Sequence, residues 1–314
     1  MADRAMVELD GLRFRYRSAE GWAVDDLTFT IQRGTVLGLI GPNGSGKTTL
    51  FRLLLGFLQP AAGRVSIGGR TPSDYRTGSG VGYLPEQVRM PGNVRVREFA
   101  ILMARLAGLS TSSIEPTLGR LMQGLALAEK SDSLIGVLSH GYRQRVGLLA
   151  ALLGEPELVL LDEPANGLDP SSMGVLRSVL RALKRRGRTV VVSSHNLLEL
   201  ERLCDEILIL REGRLLELCS RESLLARPDV WVVQLRALGK SEGGCVDDLC
   251  ARLGGVRLAN DEAGFTDGRR AREFARRVRE AGAAVETIER RAFDLEYLFH
   301  SLLQRQSSNG GRDA

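Results

Sequence analysis

The stretch from Thr35 to Leu50 constrains the fold of this chain more than any other. Val36 to Ile40 is an apolar run of strand length. It breaks into Gly41-Pro42-Asn43-Gly44-Ser45-Gly46, and Lys47-Thr48-Thr49 then opens a leucine-rich helix. This is G-x-x-x-x-G-K-[ST] in the setting the motif requires, a strand before it and a helix after it. Gly41, Gly44 and Gly46 allow backbone turns closed to other residues, so successive N–H groups can approach phosphate oxygens. The helix N-terminus adds partial positive charge at the same point. Gly41 to Thr49 is therefore expected to bind a nucleotide. Within it, Lys47 reaches the β- and γ-phosphates and the Thr48 hydroxyl ligates Mg²⁺.

A length of 314 residues suits one large domain and a smaller one, or two comparable domains. Hydrophobic content of 43% and charged content of 26% are those of a globular protein in water. No apolar run approaches the ~18 residues needed to span a bilayer, and Met1-Ala2-Asp3-Arg4 opens no signal peptide. The expectation is a cytoplasmic chain whose membrane role, if any, runs through a partner. A net charge of +5 reads as solvated faces, so no nucleic-acid partner is expected. The four cysteines form no C-x-x-C pair and the three histidines are scattered, which indicates neither a zinc site nor a disulfide framework.

Taken in order, Val7 to Ile31 alternates as strands, with Leu12, Phe14 and Tyr16 on one face. The helix from Lys47 ends near Phe57, and Arg64 to Ile67 and Val81 to Leu84 read as strands. Val96 to Leu106 and Ile114 to Leu127 carry apolar residues at helical spacing, which implies a helical insertion at about 92–150 within an α/β domain. Leu158 to Glu163, an apolar run ending in two acids, and Thr189 to Ser194 read as buried strands, and Ser171 to Arg185 as a helix. Glu212-Gly213 makes a hairpin turn between Ile207–Leu210 and Arg214–Leu218. Beyond Arg227-Pro228 the order βαββαβα predicts a small α+β domain of ferredoxin-like type over 228–305. Its helix Arg269 to Ala281 holds six arginines broken by Glu273 and Glu280, read as a solvated face. The polar tail 306–314 reads as disordered.

Four further segments, in this order and spacing, resemble the ATPases of the ATP-binding cassette (ABC) family over about residues 7 to 220. Leu138-Ser139-His140-Gly141-Tyr142-Arg143-Gln144-Arg145 looks like the signature motif, and Leu158 to Glu163 like the Walker B strand. Ala165 to Pro170, containing Asp169, resembles the D-loop, and His195 the switch histidine. The resemblance implies a P-loop NTPase cassette at 1–222, with an antiparallel β subdomain and a helical subdomain. Its ligands would be ATP and Mg²⁺.

In this family Asp162 would hold Mg²⁺ through water, and Glu163, on the opposite side of the strand, would take the proton of the attacking water. His195 would meet the γ-phosphate and Tyr16 would stack on adenine. Ser139, His140, Gly141 and Tyr142 would face the ATP of a second subunit, which makes the chain a homodimer on ATP binding. His140 and Tyr142 depart from the common Gly-Gly-Gln wording of the signature. Gly82-Tyr83-Leu84-Pro85-Glu86-Gln87 resembles the Q-loop, with Glu86 at the glutamine position in an ungapped reading; Glu86 and Gln87 both remain candidates.

The wording of Tyr83–Glu86 and of Ser139–Arg145 is similar to bacterial exporter ATPases of the ABC-2 type, which serve drug, sodium, gliding-motility or copper-associated systems. The ending Phe293 to Phe299 also suits that group. The implied partners are integral-membrane permease subunits at the inner face of the cell membrane. The alternative is a soluble ABC ATPase with a non-transport partner.

Overall fold

The computed structural model describes residues 5–78, 80–195, 197–236, 243–259 and 261–309. By internal contacts the chain divides into two compact units, Met1–Leu218 and Cys219–Ala314. The first contains, in order, β1 (Ala5–Phe14), β2 (Val24–Gln32), β3 (Val36–Ile40), α1 (Lys47–Leu54), β4 (Ala62–Ile67), α2 (Pro72–Gly78), β5 (Val81–Leu84) and α3 (Val96–Leu106). There follow α4 (Thr111–Gly124), α5 (His140–Leu152), β6 (Leu158–Leu161), α6 (Pro170–Arg185), β7 (Thr189–Ser193), α7 (Leu197–Leu203), β8 (Glu206–Arg211) and β9 (Arg214–Ser220).

The main sheet has the order β5-β6-β7-β3-β8-β9, and β5 through β8 pair in parallel. β3, β6 and β7 are buried at every position. That is why they read as continuous apolar runs rather than alternating ones, as expected of a parallel sheet covered on both faces. β9 returns through Glu212 and Gly213, whose φ values of 51° and 77° are the pair of positive angles a tight hairpin turn demands.

β1, β2 and β4 form a separate antiparallel sheet in the order β2-β1-β4. Helix α1 buries Leu50, Phe51, Leu53 and Leu54 in one core with Leu9, Leu27 and Ile31 of that sheet and Leu39, Leu160 and Val191 of the parallel one. The P-loop helix is thus clamped between two sheets, and its N-terminus has a fixed aim.

The helices α3, α4 and α5 lie between β5 and β6 in sequence, where the helical insertion was expected. α4 begins at Thr111, ahead of the expected Ile114, and carries Pro116 within it. Two short helices, α2 and α8 (Arg221–Leu225), were not anticipated. The signal for α2 is nevertheless present: Pro72 stands at its first position, and the Thr71 hydroxyl accepts the Asp74 N–H at 3.2 Å.

After α8 the second unit continues with β10 (Val230–Leu235), α9 (Gly243–Arg252), β11 (Val256–Ala259), β12 (Glu262–Phe265), α10 (Gly268–Glu280), β13 (Val285–Arg291) and α11 (Leu295–Asn309). Its sheet has the order β11-β12-β10-β13, with every pair antiparallel. Each βαβ crossover steps over a central strand, which is the ferredoxin-like arrangement. α10 buries Ala271, Phe274, Ala275 and Val278. Two of its six arginines are answered on the helix itself: Arg276 pairs with Glu273 and Glu280, and Arg277 with Glu273. The hydrogen bonds of Arg276 and then Arg277 hold the Glu273 carboxyl down at about 2. α11 runs to Asn309, into the segment read as a polar tail, and 310–314 lies outside the described residues.

Phe274 is fully buried with its ring 5.1 Å from that of Phe265. Phe274→Ala should cost about 3–5 kcal/mol, transfer and cavity terms together. Urea unfolding followed at Trp231, on the same sheet, would measure it, and a loss below about 1 kcal/mol would contradict this packing.

Candidate functional site

The parallel sheet brings the C-terminal ends of β6, β7 and β3 side by side. The loops leaving these ends carry Asp162 and Glu163, His195, and the P-loop. A crevice at the carboxyl ends of the strands is where open α/β sheets place their ligands.

The P-loop backbone approaches its neighbours too closely for side chains. A Cβ on Gly41 would stand 2.3 Å from Ser45 Oγ and 2.4 Å from the Leu210 carbonyl oxygen, and one on Gly46 (φ +104°) 2.4 Å from that of Ala23. Lys47 is buried, and its ammonium donates to the carbonyl oxygens of Gly41 (2.6 Å) and Pro42 (3.2 Å). The Ser45 hydroxyl is buried within the loop without a hydrogen-bond partner. A cradle of this shape, with a cation folded back on its own carbonyls and an orphan hydroxyl, fits a polyphosphate.

Across the cleft one hydroxyl organises two carboxylates. Ser193 Oγ donates to Asp162 Oδ1 at 2.8 Å and accepts the Glu163 N–H at 2.8 Å. Thr48 Oγ1 donates to Asp162 Oδ2 at 3.0 Å. Asp162 is 1% exposed; burial pushes its carboxyl above the usual carboxylate range, although the Ser193 and Thr48 hydroxyls pull the other way. Glu163 Oε2 accepts from His195 Nδ1 at 2.8 Å and from the His195 N–H at 3.3 Å, while Oε1 lies 4.0 Å from the Lys47 ammonium.

Strand alternation had placed the two acids on opposite sides. The structure corrects this: β6 ends at Leu161, and Glu163 takes a left-handed backbone (φ 48°), so both carboxylates line one cleft. A left-handed glutamate is a strained position of the kind that concentrates at functional sites.

The cleft, about 800 Å³, is lined by Gly41 to Thr49 together with Tyr16, Ala23, Glu86, Asp162, Glu163, Asn166 and His195. Tyr16 is half-buried. Its hydroxyl lies 3.3 Å from Thr49 Oγ1 and accepts from Arg52 at 3.1 Å, and its ring meets Phe14 edge-on. Of the two Q-loop candidates, Glu86 lines the cleft. Gln87 is outside the lining, with its side-chain oxygen accepting from Arg89 at 3.4 Å.

The signature residues also stand outside it. Ser139 caps α5 by accepting the Tyr142 N–H, and the Tyr142 ring lies under Arg145 (4.8 Å) and Lys130 (5.5 Å). Gly141 packs against Ser172, where a Cβ would be 2.4 Å from Oγ. Asp169 caps α6: Oδ1 accepts the Ser172 N–H at 2.9 Å, which with the Ser172 hydroxyl lowers its carboxyl pKa.

Among the described residues no group of three or more His, Cys, Asp and Glu could hold a metal ion. Thr48 and Asp162 offer two hard oxygen donors, the limited set that suits a Mg²⁺ retaining water and phosphate ligands. Sequence reasoning passed over Ser193 and Asn166. Ser193 looked like the polar end of a buried strand. The available signal was its position two residues before His195, since a hydroxyl sealed among valines must bond to something buried.

A family model described as ABC transporter matches residues 24–166. The chain is similar to the Nod factor export ATP-binding protein I of Rhizobium sp. (strain N33), 34% identical over 225 residues that cover 71% of this chain and 73% of the relative. It is 37% identical to that of Bradyrhizobium sp. (strain SNU001) over 60% of this chain and 63% of the relative. The aligned part thus spans 63% and 66% of the length of the first such relatives. Among solved structures, an ATP-binding subunit of an ABC transporter superposes with a TM-score of 0.64 at 30% identity, covering 70% of this chain and 91% of that one. A dimeric post-hydrolysis ATP-binding cassette with ADP and Pi shares the fold at 23% identity, covering 69% of this chain and 99% of that one, with a TM-score of 0.63.

The raised pKa of Asp162 has a sign. A carboxyl that is harder to ionise in the fold costs stability above its folded pKa, and the cost vanishes as pH falls below the unfolded value. Without nucleotide, Asp162→Asn should therefore melt above wild type at neutral pH, with the gap closing toward acid. If the cleft hydrolyses MgATP, that rate should fall about ten- to a hundredfold through lost metal positioning. Thermal melts across pH and steady-state rates test both, and a variant less stable at pH 7 than wild type would refute the electrostatic assignment.

Proposed function

The chain belongs to the ABC transporter family of ATP-binding proteins, and on that premise we propose that it binds and hydrolyses ATP to drive export through separate integral-membrane permease subunits. The observation that carries this reading is the single cleft in which Glu163, fixed by His195, faces the P-loop lysine.

In this reading the P-loop N–H groups and the start of α1 take the phosphates of ATP, and Lys47 turns from its loop carbonyls toward the β- and γ-phosphates. Thr48, and Asp162 through water, would hold Mg²⁺, which would supply charge neutralisation to the phosphates. Glu163 takes the proton of the attacking water. His195 holds one oxygen of that carboxylate, so the other faces the reacting centre. Tyr16 offers its ring face to adenine, and Glu86 closes the cleft on the Q-loop side.

Ser139, Gly141 and Tyr142 lie outside their own chain's cleft, at a capped helix start suited to a phosphate. We assign them to the nucleotide of a second copy, which gives an ATP-dependent homodimer with two composite sites. The relatives are named for Nod factor export, which supports export as the direction here. No helix of the described residues is long and apolar enough to cross a membrane, and we assign the transport path to separate permease subunits at the inner face of the cell membrane. Helix α3 exposes Leu102 and Leu106 one turn apart, and with the Glu86–Gln87 loop it is our candidate surface for them.

Glu163→Gln should bind ATP with near-normal affinity, hydrolyse it at least about a hundredfold more slowly, the scale of a lost general base, and accumulate as an ATP-bound dimer. Turnover and light-scattering mass test this, and wild-type turnover would remove Glu163 from the mechanism.

The cleft is lined wholly by residues between Tyr16 and His195. We assign the second unit to dimer stability or regulation rather than to nucleotide binding. A chain ending near Arg227 should then keep its ATP affinity while its dimer fraction changes; a folded truncation unable to bind ATP would overturn that division.

A further inference from the structure

The turn that carries Glu163 is held at every carbonyl. The Glu163 oxygen accepts the Asn166 N–H at 3.1 Å, and the Ala165 oxygen accepts the Leu168 N–H at 3.2 Å. The other two are taken by side chains of α5, four residues apart on one face of the helix. Gln144 Nε2 donates to the Pro164 oxygen at 3.4 Å, and His140 Nε2 lies 3.0 Å from the Asn166 oxygen. A carbonyl only accepts, so His140 Nε2 carries a proton in this contact.

Glu163 sits in that turn with a left-handed backbone that a non-glycine residue adopts only when its surroundings hold it there. Its N–H is secured by Ser193 from inside the fold. Its carbonyl depends on Asn166, and the far side of Asn166 depends on His140. The start of α5 lies close against the start of α6, where Gly141 is pressed against Ser172 and Asp169 with no room for a Cβ. Gln144 is buried, whereas His140 is exposed and can be replaced without opening the core.

We propose that His140, at the first position of the signature helix, is a positioning residue for Glu163 of its own chain, acting through the Asn166 carbonyl. The inference rests on the assignment of Glu163 as the base. Asn166 also lines the cleft, so a displaced turn moves a cleft wall together with the base. A displacement of this kind slows the chemical step more than it weakens nucleotide binding, because the P-loop contacts stay intact. A direct contact from His140 to the partner's nucleotide would instead weaken the ATP-bound dimer.

The test uses the full chain with His140→Ala and His140→Gln, the second of which keeps an N–H donor of similar reach. For MgATP hydrolysis, His140→Ala should lower kcat about fivefold to tenfold, the worth of one hydrogen bond to the turn. Its KM should stay within about twofold, since uniform binding is untouched. His140→Gln should recover most of kcat. In the Glu163→Gln background, adding His140→Ala should leave the ATP-driven dimer fraction unchanged by light scattering.

An unchanged kcat in His140→Ala would overturn the proposal, as would a failure of His140→Gln to restore it. So would a joint loss of KM and dimer fraction, which would move His140 onto the partner's nucleotide. A wild-type chain that binds ATP without hydrolysing it would overturn the assigned ATPase function itself. A hydrolysing wild type matched by His140→Ala would overturn this inference alone.

Discussion

A buried carboxylate sets the terms for the nucleotide cleft. Asp162 is sealed at the end of a central strand, where water cannot solvate its charge, so two hydroxyls must. One belongs to Thr48 on the P-loop helix and the other to Ser193 on the neighbouring strand. These bonds tie three separate segments to one pair of oxygens, and they leave the carboxyl raised above its normal range. A group that is expensive to ionise in the fold gains most from a cation beside it. A cation bound there would recover the stability that burial withholds from Asp162.

Lys47 shows the same economy. Its ammonium is buried, yet it is satisfied by the carbonyls of Gly41 and Pro42 and lies at the edge of ion-pair distance from Glu163. Buried charges persist only when paired and hydrogen-bonded. Its partners in the loop are neutral carbonyls, weaker than charged phosphate oxygens would be.

The second theme is division of labour within one chain. The P-loop, both acids and His195 meet in one cleft, while the signature residues close a helix start elsewhere on the same unit. The link between them runs through backbone, from His140 and Gln144 to the turn after Glu163. The second unit has a four-stranded antiparallel sheet, and its α10 pairs Arg276 and Arg277 with its own glutamates. That pattern suits a solvated helix face.

Local chemistry made much of this legible without coordinates. The strand, glycine loop and helix around Lys47 could be read because glycine spacing, apolar runs and helix starts are short-range properties. The same holds for the buried strands Leu158–Leu161 and Thr189–Ser193, for the Glu212-Gly213 hairpin, and for the βαββαβα order of the second unit. Three features needed the folded chain. Strand periodicity put Asp162 and Glu163 on opposite sides, because it cannot register a strand that stops at Leu161, short of both acids, and a backbone that turns left-handed. Adjacent residues Glu86 and Gln87 were equivalent by spacing, and only the packing of the loop turned Glu86 into the cleft. Ser193 and His140 acquired partners 31 and 26 residues away in the sequence. Such hydrogen bonds depend on which strand ends and turns the sheet order makes neighbours, and that order is a property of tertiary structure rather than of any local stretch.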